Sequence, residues 1–328
     1  MVLFFGSFFV VQGLRPVAGR SAAITFTVSS GESFIDIGKA LKEVGAVRSA
    51  FVFSLYSYAA GLRTQFKTGT YVIPRDAGVV AITRLFAQGA GTPERTITII
   101  EGWTIKGIDA YLAAQNVFTK GAFTAAAKAE QEQCSFSADV CALATSIPKK
   151  SNSLEGYLFP DTYRLYLDAR PEDLIEKMLN NFLGKIGEES LARALKISHH
   201  SRHEIITMAS IIEAEVPHSN DRPVIAGIFW KRIEAGIPLQ ADSTVNYATG
   251  KHTRAASLDD LRFNSPYNTY LYPDLPPGPI SNPGISAIKA ALHPQDSPYW
   301  FFLSKEDGTT VFSKTLDEHA AAKEKYLR

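Results

Sequence analysis

From Asn264 to Gly284 the chain reads Asn-Ser-Pro-Tyr-Asn-Thr-Tyr270, then Leu275-Pro-Pro-Gly-Pro279 and Ser281-Asn-Pro-Gly284. Proline removes a backbone donor and interrupts both helices and ladders, so no regular element can run through this stretch. It is also too aromatic for a plain linker. It is suited to wall a cleft. The stretch expected to supply an acid to that cleft is Met208-Ala-Ser-Ile-Ile-Glu-Ala-Glu-Val216, which reads as a helix. At about 100° per residue, Ile205, Met208, Ala209, Ile212 and Val216 form one apolar stripe, with Glu213 and Glu215 about 80° to either side. Periodicity leaves these two carboxylates equivalent.

The 328 residues suffice for two or three domains. A hydrophobic share of 45% with 20% charged residues describes a folded globular chain. A net charge of +1 argues against a nucleic-acid binder that relies on a broad basic surface, and leaves neutral polymers and small molecules open. Residues 2–11 are nearly all apolar, about half of what a membrane-spanning helix needs. No Lys or Arg precedes them, so a charged signal-peptide start is lacking. The run reads as the end of a membrane anchor or a short signal-like segment, followed by a linker at 15–23. Either places the remainder outside the cytosol. Cys134 and Cys141 are the only cysteines. Their spacing fits neither a redox pair nor a zinc site. In an oxidising compartment they can close a small loop, and two free thiols are the alternative.

In chain order, Ile24–Val28 alternates as a strand. Ser33 caps a helix whose stripe is Phe34, Ile37, Leu41 and Val44, with Asp36 in capping-box position. A second helix covers about 49–60, a strand follows at 67–73, and a helix at 79–88. This strand–helix–helix–strand order resembles a LysM-like module, a small fold that binds sugar polymers; a structural spacer fits the same pattern. Gly89-Ala-Gly91 is a domain linker, not a nucleotide loop, because Glu94 stands where the third glycine belongs. The next unit opens with another strand and turn (95–104) and a helix carrying Ile108, Tyr111 and Leu112. Residues 121–150 are Ala-rich and helical. Glu155 is the polar residue of Leu154-Glu-Gly-Tyr-Leu-Phe-Pro-Asp-Thr-Tyr163, and either lines a cleft or caps a turn. His199 and His203 have helical spacing, but Thr207 stands where H-E-x-x-H requires its second His, so the segment reads as a polar helix entry and no metal or cofactor is expected. Helices at 226–233 and 286–292, a hairpin with an Asp-Gly turn at 299–313 and a helix at 316–326 complete the chain.

Residues 236–247 change the meaning of the Glu213 helix. If the stretch is extended, Gln240, Asp242, Thr244 and Asn246 share one face. Four hydrogen-bonding groups in a row suit a carbohydrate, whose desolvated hydroxyls need partners.

Taken together, Ala209-Ser-Ile-Ile-Glu-Ala-Glu215, Leu239-Gln-Ala-Asp-Ser-Thr-Val245, Ser265-Pro-Tyr-Asn-Thr-Tyr270, Leu275-Pro-Pro-Gly-Pro-Ile280 and Asn282-Pro-Gly284, preceded by Glu155-Gly-Tyr-Leu-Phe-Pro-Asp-Thr-Tyr163, resemble the membrane-anchored endolytic murein transglycosylases, the MltG or YceG-like family. The resemblance covers residues 24–328. It implies an α+β chain: a partial anchor and linker at 1–22, a LysM-like βααβ subdomain at 23–92, and a helix-rich catalytic domain at 93–328 with a C-terminal β-hairpin. It selects Glu213 as the catalytic acid, with Glu215 beside it. It places the catalytic domain on the outer side of the cytoplasmic membrane, acting on peptidoglycan strands, with peptidoglycan synthases as neighbours. One carboxyl then suffices: it protonates the leaving oxygen, and its carboxylate takes the proton of the sugar's own C6 hydroxyl, which closes a 1,6-anhydro ring. Such an acid should lie in apolar surroundings that raise its pKa, with Ile211, Ile212 and the 265–270 loop as candidates. Gln240, Asp242, Asn246, Tyr267, Asn268, Thr269 and Asn282 are candidate sugar contacts. A muramidase-type hydrolase using Asp242 or Glu215 as second carboxylate, and a non-catalytic glycan-binding scaffold, remain as rivals.

Overall fold

The computed structural model describes residues 10–17, 22–29, 31–89, 94–151, 153–216, 220–251, 253, 256–305 and 307–326. Most of the N-terminal apolar run, part of the 15–23 linker and all but the first residue of the glycine-rich linker at 89–93 lie outside the described residues. Among the described residues no helix is long and apolar enough to cross a membrane. The chain divides into two compact units, Met1–Arg95 with Tyr166–Asp168, and Thr96–Leu165 with Ala169–Arg328. The fold is mixed α+β, and its described strands form three separate two-stranded sheets.

In the smaller unit β1 (Ile24–Val28) is followed by α1 (Phe34–Glu43), α2 (Ala50–Ala59), β2 (Gly69–Ile73) and α3 (Val79–Gln88). The strands pair antiparallel, Ile24 opposite Ile73 and Val28 opposite Gly69. Ser33 starts α1 by accepting from the Asp36 N–H at 3.2 Å. Phe86 anchors the core: its ring lies 4.6 Å from that of Tyr71 and 5.8 Å from those of Phe26 and Phe66. Of the α1 stripe, Ile37 and Leu41 are buried, while Val44 is exposed beyond the helix end.

Next comes β3 (Glu94–Thr98), which pairs with β4 (Thr162–Tyr166); most of both strands belongs to the larger unit. Between them come α4 (Ile105–Ala114), α5 (Ala122–Glu132) and α6 (Ala138–Ser146), and after them α7 (Pro171–Ile186) and α8 (Glu189–Ile197). The Cys134–Cys141 disulfide closes the turn from α5 into α6, with the Cα atoms 5.4 Å apart. At the centre runs α9 (Arg202–Glu215), capped by a reciprocal Ser201–Glu204 box. All eight residues Ile205–Ile212 are buried. The helix is therefore not the surface amphipath that its stripe suggests; it passes through the core, where every face needs small or apolar residues. It packs against α11 (Asp242–Thr249), α12 (Ile285–Leu292) and α10 (Arg222–Glu234). A hairpin, β5 (Phe301–Ser304) with β6 (Thr310–Ser313), is backed by α13 (Leu316–Tyr326).

One expected element differs. Residues 242–249 are helix, not extended chain. Leu239, Ala241 and Val245 are buried, and Thr244 is buried with them, so the apolar demand follows a helical turn, which the polar alternation of 240–246 masks. Asp242, Ser243 and Asn246 face the clefts described below, and Thr244 faces inward.

Candidate active site

The proline-rich stretch lies along α9 and is clamped to it turn by turn. Pro277 O accepts from His203 Nε2 at 2.8 Å. Ser210 Oγ accepts from the Ile280 N–H at 3.0 Å, and Ser281 Oγ donates to Ser210 O at 3.2 Å. The Gly284 N–H donates to Glu213 Oε2 at 3.0 Å. Because His203 Nε2 donates, its Nδ1 accepts from the Tyr157 hydroxyl at 2.8 Å, so both ring nitrogens serve the scaffold. His200 stacks on Trp230, with ring centroids 3.7 Å apart.

Glu213 sits in the last turn of α9. Its Oε1 meets Arg222 Nη2 at 2.5 Å, and both side chains are 7% exposed. Arg222 is the first residue of α10 and also donates through Nε to Val216 O at 3.2 Å. Two donors thus fix the Glu213 carboxylate from opposite sides. This differs from the expected apolar setting: Ile211 and Ile212 are buried in the core, and the 265–270 loop packs on α11. Sequence reasoning passed over Arg222, but a signal existed. A cation at a helix N-terminus opposes the helix dipole, so a buried one there implies a carboxylate partner. Glu101 was also missed. Its carboxyl occupies the space a side chain on Gly284 would need, and burial, then the negative charge of Glu213, hold it above the usual carboxylate range. Two carboxyl groups and one arginine therefore share this corner.

Two clefts flank the end of α9. One, of about 750 Å³, is lined by Gly102, Trp103, Glu155, Tyr247, Ile280 and Ser281 among others; the other, of about 930 Å³, by Glu215, Arg232, Gln240, Asp242 and the β5 residues. Ala214, Ser243, Asn246 and Thr253 line both. Glu213 itself lines neither; a side chain on Gly102, which lines the first, would lie 3.6 Å from its Cγ. Gly102 has φ +82°, a conformation that favours glycine, and its N–H donates to Asn282 O at 2.8 Å.

The remaining expected residues fall into two groups. Glu155 lines the smaller cleft while capping α4: both its oxygens accept from the Ile105 N–H at 3.0 and 3.1 Å, and Oε1 also from Asn282 Nδ2 at 2.9 Å. Burial outweighs these donors and pushes its pKa up to about 8. Asn282 is wholly buried: its Oδ1 accepts from Gly156 and Leu158 N–H, and its Nδ2 donates to Trp103 O and Glu155. Around the larger cleft, Glu215 Oε1 accepts from the Ser243 N–H at 3.0 Å, and burial raises its pKa. Asp242 Oδ1 accepts from the Tyr270 hydroxyl at 2.6 Å. Gln240 is exposed and accepts from Arg232. Asn246 bonds to Thr253 through both side-chain atoms. Tyr267 packs on Tyr247, with centroids 5.0 Å apart. Asn268 and Thr269 are buried and bonded to Leu261, Phe263, Ala241 and Thr244. Asn268, Thr269 and Asn282 therefore shape the loops from inside, whereas Glu155, Glu215, Gln240, Asp242 and Asn246 line open space.

Residues 26–325 match the family model described as the YceG-like family. A protein of Bacillus subtilis (strain 168) named endolytic murein transglycosylase is 35% identical over 319 residues, covering 96% of this chain and 88% of that protein. One of the same name from Streptococcus pneumoniae (serotype 2, strain D39 / NCTC 7466) is 28% identical, over 96% of this chain but 61% of its own length. Among solved structures, a yceG-like protein from Listeria monocytogenes superposes with a TM-score of 0.62 at 33% identity, covering 92% of this chain and 99% of that one.

Proposed function

This chain belongs to the YceG-like family, and from that premise we propose that it is an endolytic lytic transglycosylase of murein in which Glu213 is the acid and then the base. The observation that carries the assignment to Glu213 is its place: a carboxylate with 7% exposure, oriented at both oxygens by Arg222 and Gly284, directly behind the glycine that lines the smaller cleft. In the acid form it gives its proton to the glycosidic oxygen as the C1–O bond breaks. The carboxylate then takes the proton of the same sugar's C6 hydroxyl while that oxygen bonds to C1. The proton returns to Glu213, no water is consumed, and the new end is a 1,6-anhydro-muramic acid. Glu101 lies beside this carboxyl, against Gly284, and is the second carboxyl of the site.

Residues 93–328 are the catalytic domain in this reading, and 23–92 a LysM-like glycan-holding module. The enzyme works outside the cytoplasmic membrane on nascent strands beside their synthases, trimming or ending them, held by an N-terminal anchor. The test is product analysis. Murein digested with the protein should yield 1,6-anhydro ends by mass spectrometry, and Glu213→Gln should bind strands without cleaving them. Reducing ends in place of anhydro ends would replace this reading by the hydrolase, and undiminished turnover by Glu213→Gln would remove the residue from the mechanism.

A further inference from the structure

The larger cleft is lined by a charge, Arg232, that no carboxylate among the described residues pairs with, although its Cζ lies 5.5 Å from the centroid of the Phe301 ring. Arg232 is 6% exposed, yet its Nε has no hydrogen-bond partner, and its Nη2 donates only to the neutral Gln240 Oε1 at 2.9 Å. A buried guanidinium without a counter-charge is costly, which favours an anion beside it. Gln240 is itself held in the left-handed region, φ +53°, which a non-glycine residue adopts at a cost. Its N–H is tied to Thr269 O at 3.0 Å.

Two more nitrogen groups of the lining, His319 and Lys323, stand close enough to Arg232 for all three to interact. His319, on α13, stacks on Phe301 with centroids 5.3 Å apart, and its Nδ1 is buried without a partner. Its pKa is lowered by burial first, then by the positive charges of Lys323 and Arg232. Lys323 is exposed at the rim, and Lys305 stands at the hairpin turn. The two carboxylates of the lining are committed elsewhere, Asp242 to Tyr270 and Glu215 to Ser243.

We propose that this end of the cleft, between Arg232, His319 and Lys323, is an anion subsite that takes a carboxylate of the peptide carried by the murein sugar. The peptide identity rests on the transglycosylase reading; the subsite itself does not. A planar guanidinium with an unpaired Nε suits a carboxylate. The cleft, about 930 Å³, is larger than an ion needs, and Phe229, Phe301, Phe302 and Leu303 give it an apolar side for a peptide. The peptide also hangs from the muramic sugar, whose C1–O bond is the one cleaved. Ala214, next to Glu213, lines this cleft, so the peptide and the reacting sugar would lie on either side of one helix end.

The experiment measures binding without turnover. The full chain is titrated with the tripeptide L-Ala–γ-D-Glu–L-Lys and with the same peptide amidated at both carboxyls. The free acid should bind about tenfold more tightly, as expected for a charge-assisted contact. Arg232→Gln should abolish the preference. Lys323→Gln, at the exposed rim where no packing is lost, should reduce it about threefold. Equal binding of acid and amide by the unmodified protein, or a preference undiminished in Lys323→Gln, would overturn the subsite. Absence of anhydro products would overturn the transglycosylase reading alone, since the titration does not depend on cleavage.

Discussion

At the scale of single residues, the site is governed by carboxyl groups in unlike surroundings. Glu213 and Arg222 form a buried pair, and removing one partner of such a pair costs roughly 3–5 kcal/mol. Arg222→Met should therefore lower the urea midpoint sharply, and adding Glu213→Gln should restore most of it. A full loss in the double variant would show that the packing of Arg222, not the pair, is what matters. Glu155 behaves differently. Its folded pKa of about 8 lies above the ordinary 4.5, so the native state keeps a proton that the unfolded chain releases. Its contribution is whole below about pH 4.5 and is lost as pH rises towards 8. Unfolding measured between pH 5 and 9 should show that decline, and Glu155→Gln should flatten it. Glu101 offers a third test. It stands against Gly284 and in the field of Glu213, so Glu101→Gln should lower kcat/KM while leaving the urea midpoint near that of the unmodified protein; an unchanged kcat/KM would separate Glu101 from the reaction. Of these groups, the chain singled out Glu155 as a polar residue in apolar company, and Glu213 only together with Glu215, the family resemblance choosing between the two. Arg222 left only the faint signal of a cation at a helix start, and Glu101 none, because Glu101, Glu213 and Gly284 meet across 183 residues of sequence.

At the scale of elements, periodicity and caps were good guides where one face of an element is apolar and the other wet. The Ser33 cap, the helix at 79–88 and the closing helix at 316–326 all fall where the pattern puts them. The pattern misled in two places. In α9 an amphipathic stripe belongs to a helix buried on all sides, because its polar positions, Thr207 and Ser210, bond back to the chain. In α11 a period of two in the polar residues masked the helical spacing of the buried ones. Close approach between elements was invisible in the chain, and glycine marks it. On α10, Gly227 abuts the backbone carbonyl of Gln295, and a side chain there would collide with it. Gly227→Ala should cost about 1–3 kcal/mol, read from the shift in denaturation midpoint; a neutral result would mean that the 294–296 segment yields freely.

At the scale of the whole molecule, cross-links replace what the core alone does not supply. The Cys134–Cys141 bridge, left open by the sequence, closes the turn between α5 and α6. Breaking a loop this short should cost about 2–3 kcal/mol, visible as a lower Tm in reducing buffer that is absent from the Cys134→Ser, Cys141→Ser double variant. The proline-rich stretch has no regular structure to lend it stability, and its order comes from bonds to α9 and from Asn282, whose side chain joins Trp103, Glu155, Gly156 and Leu158. That arrangement bears on how the protein ages. Asparagine side chains spoil over time when the next residue's backbone nitrogen attacks the amide, forming a cyclic imide that opens to an acid. Here the next residue is Pro283, whose nitrogen carries no hydrogen and cannot follow that route. The amide that ties the proline-rich stretch to Trp103 and to the 155–158 segment is thus shielded from the slow chemical decay that most threatens asparagine.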